Sequence, residues 1–176
     1  AEGDGEDCES GDDDVRFASL LGEVRACTLC ADHLIDGVRP VLQAMPSARI
    51  LVAGQAPGRH VHRSGIPFDD ASGDRLLSWL GLTREVFHDP ARVAIVPMGF
   101  CYPGSSRNGD MAPRPECAPA WRDRLLAGLK QVKLTLLVGA YAQAYHLGKR
   151  QVAVTEVVAD WLSYWPTVIP LPHPSP

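Results

Sequence analysis

Short apolar runs that end at a glycine or a proline alternate along this chain with amphipathic stretches, and that alternation restricts the fold more than any other feature. Arg49-Ile50-Leu51-Val52-Ala53 stops at Gly54, Val93-Ala94-Ile95-Val96 at Pro97, and Leu134-Thr135-Leu136-Leu137-Val138 at Gly139. Val168-Ile169-Pro170-Leu171 then runs into Pro172. Such runs, apolar throughout, suit strands buried on both faces. The stretches between them read as helices. Val15 to Ala26 sets Phe17, Leu20, Leu21 and Val24 on one face. A helix capped by Ser72 carries Leu76, Leu77 and Leu80 and stops at Gly81. Another begins near Pro115, with Cys117, Trp121, Leu125 and Leu129 at i+4 spacing. A short helix covers Tyr141 to Leu147, and Val154, Val157, Val158, Trp161 and Leu162 mark one more. Residues 103–115, rich in Gly, Pro and Ser, read as a long loop. The result is an α/β fold, a parallel sheet covered by helices on both faces. Ligands of such sheets sit beyond the carboxyl ends of the strands. Gly54–Gly58 follows the first strand and His173 the last, so both are expected to face one crevice.

At 176 residues the chain fits one domain. No apolar stretch approaches the roughly 20 residues of a membrane helix, and no signal peptide opens the chain. The expectation is a cytoplasmic monomer, placed in the nucleoid of a bacterium or archaeon. The net charge of −4 hides an asymmetry. Eight of the 21 acidic residues lie in 1–14, leaving 13 against 17 Lys and Arg, or +4 for residues 15–176. We read 1–14 as an acidic disordered leader and 15–176 as the folded domain, whose mildly basic surface is compatible with a polyanion.

Five cysteines without a signal peptide argue for metal or catalysis over disulfides. Cys8 lies in the leader. Cys27-Thr28-Leu29-Cys30 forms a CxxC near the end of the first helix, Cys101 follows the second strand and Cys117 opens a helix. Four thiolates make a closed site for a soft metal. Spacing alone leaves zinc and an iron–sulfur cluster both open.

Gly54-Gln55-Ala56-Pro57-Gly58 is neither a Walker loop nor a dinucleotide fingerprint. It is a tight turn able to present backbone N–H groups at a strand end. The basic, polar Arg59-His60-Val61-His62-Arg63-Ser64-Gly65 that follows suits phosphate contact. Then Pro67-Phe68-Asp69-Asp70-Ala71-Ser72-Gly73-Asp74 sets an aromatic ring and carboxylates beside a helix start. Phe68 is equally at home in a core, and Asp69, Asp70 and Asp74 equally serve as helix-start acids. His33, His88 and His146 are taken as surface or core histidines, and Trp79, Trp121, Trp161 and Trp165 as packing.

These residues carry a resemblance. Gly54-x-Ala-Pro-Gly58, His60, Arg63, Gly65, Pro67-Phe68, Asp70-Ala71-Ser72-Gly73 and the terminal His173-Pro174-Ser175 resemble the family 5 (type B) uracil-DNA glycosylases, with the iron–sulfur family 4 enzymes next nearest. The likeness runs from about Arg25 to Pro176. It implies a three-layer α/β/α sandwich around a four-stranded parallel sheet. It also implies a 4Fe-4S cluster, structural in role, held by Cys27, Cys30, Cys101 and Cys117. The implied activity is removal of uracil, or a related deaminated base, from DNA by hydrolysis of the N-glycosidic bond, in base excision repair. The base is flipped into a pocket. By this likeness Phe68 stacks on the flipped base and His173 donates a hydrogen bond to it as it departs. Asp70 orients water and stabilises the sugar cation, while Gln55 and Ala56 supply backbone contacts. Arg59, Arg63 and Ser175 touch DNA phosphates.

Three departures qualify the likeness. Gln55 stands where family 4 has an acid, and Pro97 where the superfamily has a base-reading asparagine, as it does not in family 5. The chain ends directly after His173-Pro174-Ser175-Pro176, where relatives continue, so its C-terminal end is expected to be missing. Two other readings stay open: a non-catalytic member that binds uracil or DNA, and an iron–sulfur regulatory protein.

Overall fold

A computed structural model of the chain describes residues 6–148 and 151–176. The first element is α1 (Glu6–Arg25), followed by β1 (Ile50–Ala53), α2 (Arg59–Ser64), α3 (Ala71–Leu80) and α4 (Arg84–Phe87). Next come β2 (Val93–Ile95), β3 (Ser105–Ser106), β4 (Gly109–Asp110) and α5 (Cys117–Gly128). The chain closes with β5 (Leu134–Val138), α6 (Ala140–Leu147), α7 (Val154–Ala159) and β6 (Val168–Leu171). Among the described residues no helix is long and apolar enough to cross a membrane.

The four apolar runs form one parallel sheet in the order β2-β1-β5-β6. Its register sets Leu51 between Ala94 and Thr135, and Val52 between Ile95 and Leu136. Successive side chains of a strand point to opposite faces, so each strand feeds two cores. On one face Leu51 and Ala94 meet Phe17, Leu21 and Val24 of α1 and Leu125 of α5. On the other, Val52, Ile95 and Leu136 meet Leu76 and Leu77 of α3 and Phe87 of α4. Helices on both faces of a four-stranded parallel sheet make the expected three-layer α/β sandwich. Its strand order places the topological switch between β1 and β5, where the chain leaves the sheet in opposite directions.

Four local expectations are corrected. The first helix begins at Glu6, so the part of the acidic leader from residue 6 onwards is helical, while residues 1–5 lie outside the described residues. Acids near a helix N-terminus suit the macrodipole, Asp12 pairs with Arg16 one turn on at 2.8 Å, and Asp13 reaches Lys130 beyond α5 at 3.5 Å. The cap of α3 is Asp70, not Ser72: its Oδ1 accepts from the Gly73 N–H at 2.8 Å. The loop over 103–115 contains the β3–β4 hairpin. Finally, α7 stops at Ala159, and a 3-10 turn, Trp161–Ser163, takes over. That change of geometry turns Trp161 and Trp165 outward against each other, ring centroids 6.2 Å apart. Trp79 is also exposed, so of the four tryptophans taken as packing only Trp121 is largely covered.

Candidate active site

The Gly54–Gly58 turn leaves the end of β1 at the switch point, and its backbone is tied to the segment following β2. Met98 N–H donates to Gly54 O at 2.9 Å and Gly99 N–H to Gln55 O at 3.0 Å. The next strand out, β5, ends at Val138-Gly139, and Gly139 N–H donates to Leu171 O at the end of β6 at 3.0 Å. These ties close a cleft beyond the carboxyl ends of β1, β5 and β6. Gln55, Ala56, Phe68, Asp70 and His173 all line it, together with Pro97, Val138, Ser72 and Asp110. Residues from both ends of the chain therefore share one cavity.

Phe68 is held in place from both sides. Its φ is +56°, a left-handed conformation costly for an aromatic residue. Its ring packs edge-on against Phe87 at 5.9 Å and belongs to the core of that face while its other side lines the cavity. Two glycines make the pose possible. A Cβ on Gly54 would lie 3.2 Å from the ring, and one on Gly73 would lie 1.7 Å from the Phe68 carbonyl oxygen. Core residue and pocket wall are the same side chain here. Asp70 also divides its tasks: Oδ1 caps α3, and Oδ2 faces Gly58 across the cleft.

His173 stands at the rim, against Gly139. Its Nδ1 accepts the Ser175 N–H at 3.2 Å, which leaves the ring proton on Nε2. Loss of hydration on its cavity side pulls its pKa below the ordinary histidine value, against the opposing pull of Asp70 and Asp110. A neutral imidazole with an Nε2–H donor is the outcome. Ser175 itself is exposed, its carbonyl bound by Arg75 Nη1 at 2.8 Å. Arg59 and Arg63 lie exposed on α2, whose last carbonyls, those of His62 and Arg63, are capped by Arg39 at 2.9 and 2.7 Å. The Gln55 amide donates to Met111 O at 3.4 Å, so its side chain leans toward the hairpin loop.

Two participants escaped sequence reading. Asp110 sits at the end of β4, where Asn108-Gly109, a hairpin signal, was available to find it. Arg122 of α5 is only 1% exposed and donates to Val96 O at 2.9 Å and Pro97 O at 3.1 Å, directly behind the cavity wall. Nothing in helical periodicity marks such an arginine as buried.

A second cavity is bordered by all four expected cysteines. Cys27 and Cys30 come from the turn after α1, Cys101 from the segment after β2, and Cys117 from the first turn of α5. Trp121 Nε1–H donates to Cys27 Sγ at 3.2 Å. Burial raises the Cys101 thiol and pushes Cys117 up to about 12, and the neighbouring cysteines add to both by mutual repulsion. Arg114 grips Glu116 with two hydrogen bonds at this cavity's edge, holding that carboxyl down to about 2. Among the described residues no three His, Cys, Asp or Glu side chains converge on a position for a single metal ion.

Fold and cleft together define an α/β protein with a ring-lined slot at its topological switch point. The sequence model of the uracil DNA glycosylase superfamily matches residues 43–176. The Type-4 uracil-DNA glycosylase of Thermotoga maritima is 31% identical over 160 residues, 86% of this chain and 78% of that protein. The chain belongs to the uracil-DNA glycosylase superfamily.

Proposed function

We propose that this chain is a monofunctional DNA glycosylase that hydrolyses the N-glycosidic bond of uracil, or of a related deaminated base, extruded from DNA. The observation that carries the reading is the meeting of Phe68, Asp70 and His173 in one cleft beyond the carboxyl ends of β1, β5 and β6. A flat base slides in against Phe68, and the backbone of Gln55 and Ala56 holds its edge. As the bond from C1′ to the base lengthens, negative charge grows on the base and positive charge on the sugar. The Nε2–H of neutral His173 donates to the base, a fixed dipole aimed at charge that develops only in the transition state. The free Oδ2 of Asp70 faces the sugar and orients the attacking water. Arg59 and Arg63, exposed on α2, and Ser175, exposed two residues after His173, take the flanking phosphates.

Pro97 offers the base no side-chain amide, in the manner of family 5, while the cysteines follow family 4. We read the chain as combining the two, with a base preference wider than uracil alone. Cys27, Cys30, Cys101 and Cys117 would hold a 4Fe-4S cluster. Supporting this are four thiols around one cavity and their mutual repulsion when ionised, which a cationic cluster would relieve. Held by these cysteines, a cluster would cross-link the end of α1, the segment after β2 and the start of α5. Iron and sulfide analysis of the purified chain, with zinc measured beside them, tests it.

The activity is tested with oligonucleotides carrying one uracil, hypoxanthine or xanthine. Abasic product from at least one is expected, with His173→Ala and Asp70→Asn each losing most of it. No product from any of the three overturns the reading. Tight binding to uracil-containing DNA without product would mark a non-catalytic member instead.

A further inference from the structure

A hydrolytic glycosylase must place the proton that its attacking water gives up. His173 is committed to the departing base, and Gln55 of the first motif has no basicity. The cleft nevertheless contains two carboxylates, and the second comes from an element remote from that motif. Asp110 ends β4, and its Oδ1 accepts the Ser105 hydroxyl at 3.0 Å. That hydroxyl is in turn bonded to the Tyr102 hydroxyl, whose ring is buried. The hairpin thus holds Asp110 by one oxygen, as the α3 N-terminus holds Asp70 by one of its own. Among the described residues neither Oδ2 has a hydrogen-bond partner. Among the described residues other than its own chain neighbours, a methyl group on Gly58 would meet only those two atoms within 4 Å, Asp110 Oδ2 at 3.5 Å and Asp70 Oδ2 at 3.8 Å. Asp70, Asp110 and His173 all line the same cavity.

We infer that Asp110 is the general base of this cleft, accepting the proton of a water seated above Gly58 between its own carboxylate and that of Asp70. The inference rests on the glycosylase reading. In the step, the water oxygen forms a bond to C1′ while the bond from C1′ to the base nitrogen breaks. The electron pair of that bond leaves with the base, which His173 Nε2–H stabilises as an anion. One water proton passes to Asp110 Oδ2, and the hydroxyl remains on the sugar of the abasic product. No oxidant or further reactant enters. Asp70 keeps its electrostatic role toward the sugar.

The test uses single-turnover cleavage of a uracil-containing oligonucleotide by the full chain across pH. Asp110→Asn is expected to slow cleavage by about 10² or more, the usual worth of a positioned base, and to remove the acid limb of the rate–pH profile. Its affinity for an oligonucleotide bearing a 2′-fluoro, cleavage-resistant uridine should stay within about threefold. Gly58→Ala, at a backbone pair (φ −84°, ψ −177°) open to any residue, should fill the water's place and lose rate similarly while folding normally. NMR titration gives an answer independent of turnover: Asp110→Asn should lower the His173 pKa further, since one of its two facing carboxylates is gone. Ser105→Ala releases the oxygen that the hairpin holds but keeps the carboxylate, so it should lose less rate than Asp110→Asn and retain the acid limb. An Asp110→Asn chain that cleaves like the wild type, or one that keeps the wild-type acid limb, overturns the role and leaves the glycosylase reading standing. A wild-type chain without product removes both.

Discussion

Asp70 has two obligations that one substitution can separate. Its Oδ1 caps α3 through the Gly73 N–H, and its Oδ2 faces the cleft. Asparagine caps a helix about as well as aspartate, whereas alanine forfeits roughly 1 kcal/mol. Asp70→Asn should therefore leave the urea midpoint within experimental scatter while cleavage collapses, because the amide carries no charge toward the sugar. Asp70→Ala should lose both cleavage and about 1 kcal/mol of stability. Equal loss of stability in the two variants would show that the cap does not hold α3. The sequence made the same pair of roles visible, helix-start acid or site carboxylate, and left them as rivals. They are compatible because a carboxylate has two oxygens. Phe68 resolves in the same manner. Its ring serves the Phe87 core on one side and the cleft on the other, held there by a left-handed backbone at residue 68.

At the level of elements, the strands were legible and the polar contacts joining them to helices were not. A buried parallel strand announces itself by an unbroken apolar run, as at Leu51-Val52-Ala53, because both of its faces are core. Arg122 carries no such mark, since helical periodicity assigns a charged residue to solvent. Yet it joins three elements, bonding the Val96 and Pro97 carbonyls past β2 and His146 of α6 from its place on α5. Burial draws its pKa down to about 10. Burial, then the neighbouring guanidinium, draws His146 down to about 4. Arg122 donates to His146 Nε2 at 2.8 Å, so the native state needs that imidazole neutral. The unfolded chain protonates it near 6.5. Between those values the unfolded state binds more protons, so stability falls as pH drops from 6.5 towards 4. With solvent screening discounted, the loss is on the order of 2 kcal/mol. Urea midpoints at pH 7.5 and pH 4.5, compared with those of His146→Gln, check this. The variant should lose stability more gently over that interval, and an unchanged slope would remove His146 as the cause.

For the molecule as a whole, topology supplies what linear reading cannot: distance. The loop after β1 and the histidine after β6 were legible as motifs, and the β2-β1-β5-β6 order brings them together at the switch point. Asp110 was missed because the hairpin carrying it is only a few residues long, and its meaning lies in what it folds against. Charge is distributed on the same scale. The acids of α1 lie at one end of the chain, Asp13 already reaching Lys130, while Arg59 and Arg63 lie exposed on α2, the helix after the Gly54–Gly58 turn, with no carboxylate of the described residues within 4 Å. If those two arginines meet phosphates, each displaces about one condensed counterion, and the salt slope of log Kd reports their number. Arg59→Ala with Arg63→Ala should flatten that slope by about 2 for uracil-containing DNA, weakening binding equally for DNA without the lesion. Cleavage of bound substrate in single turnover should stay near the wild-type rate, because neither arginine lines the cleft. A slope unchanged by the double substitution would move the DNA path off α2, towards Arg75, which holds the Ser175 carbonyl two residues after His173.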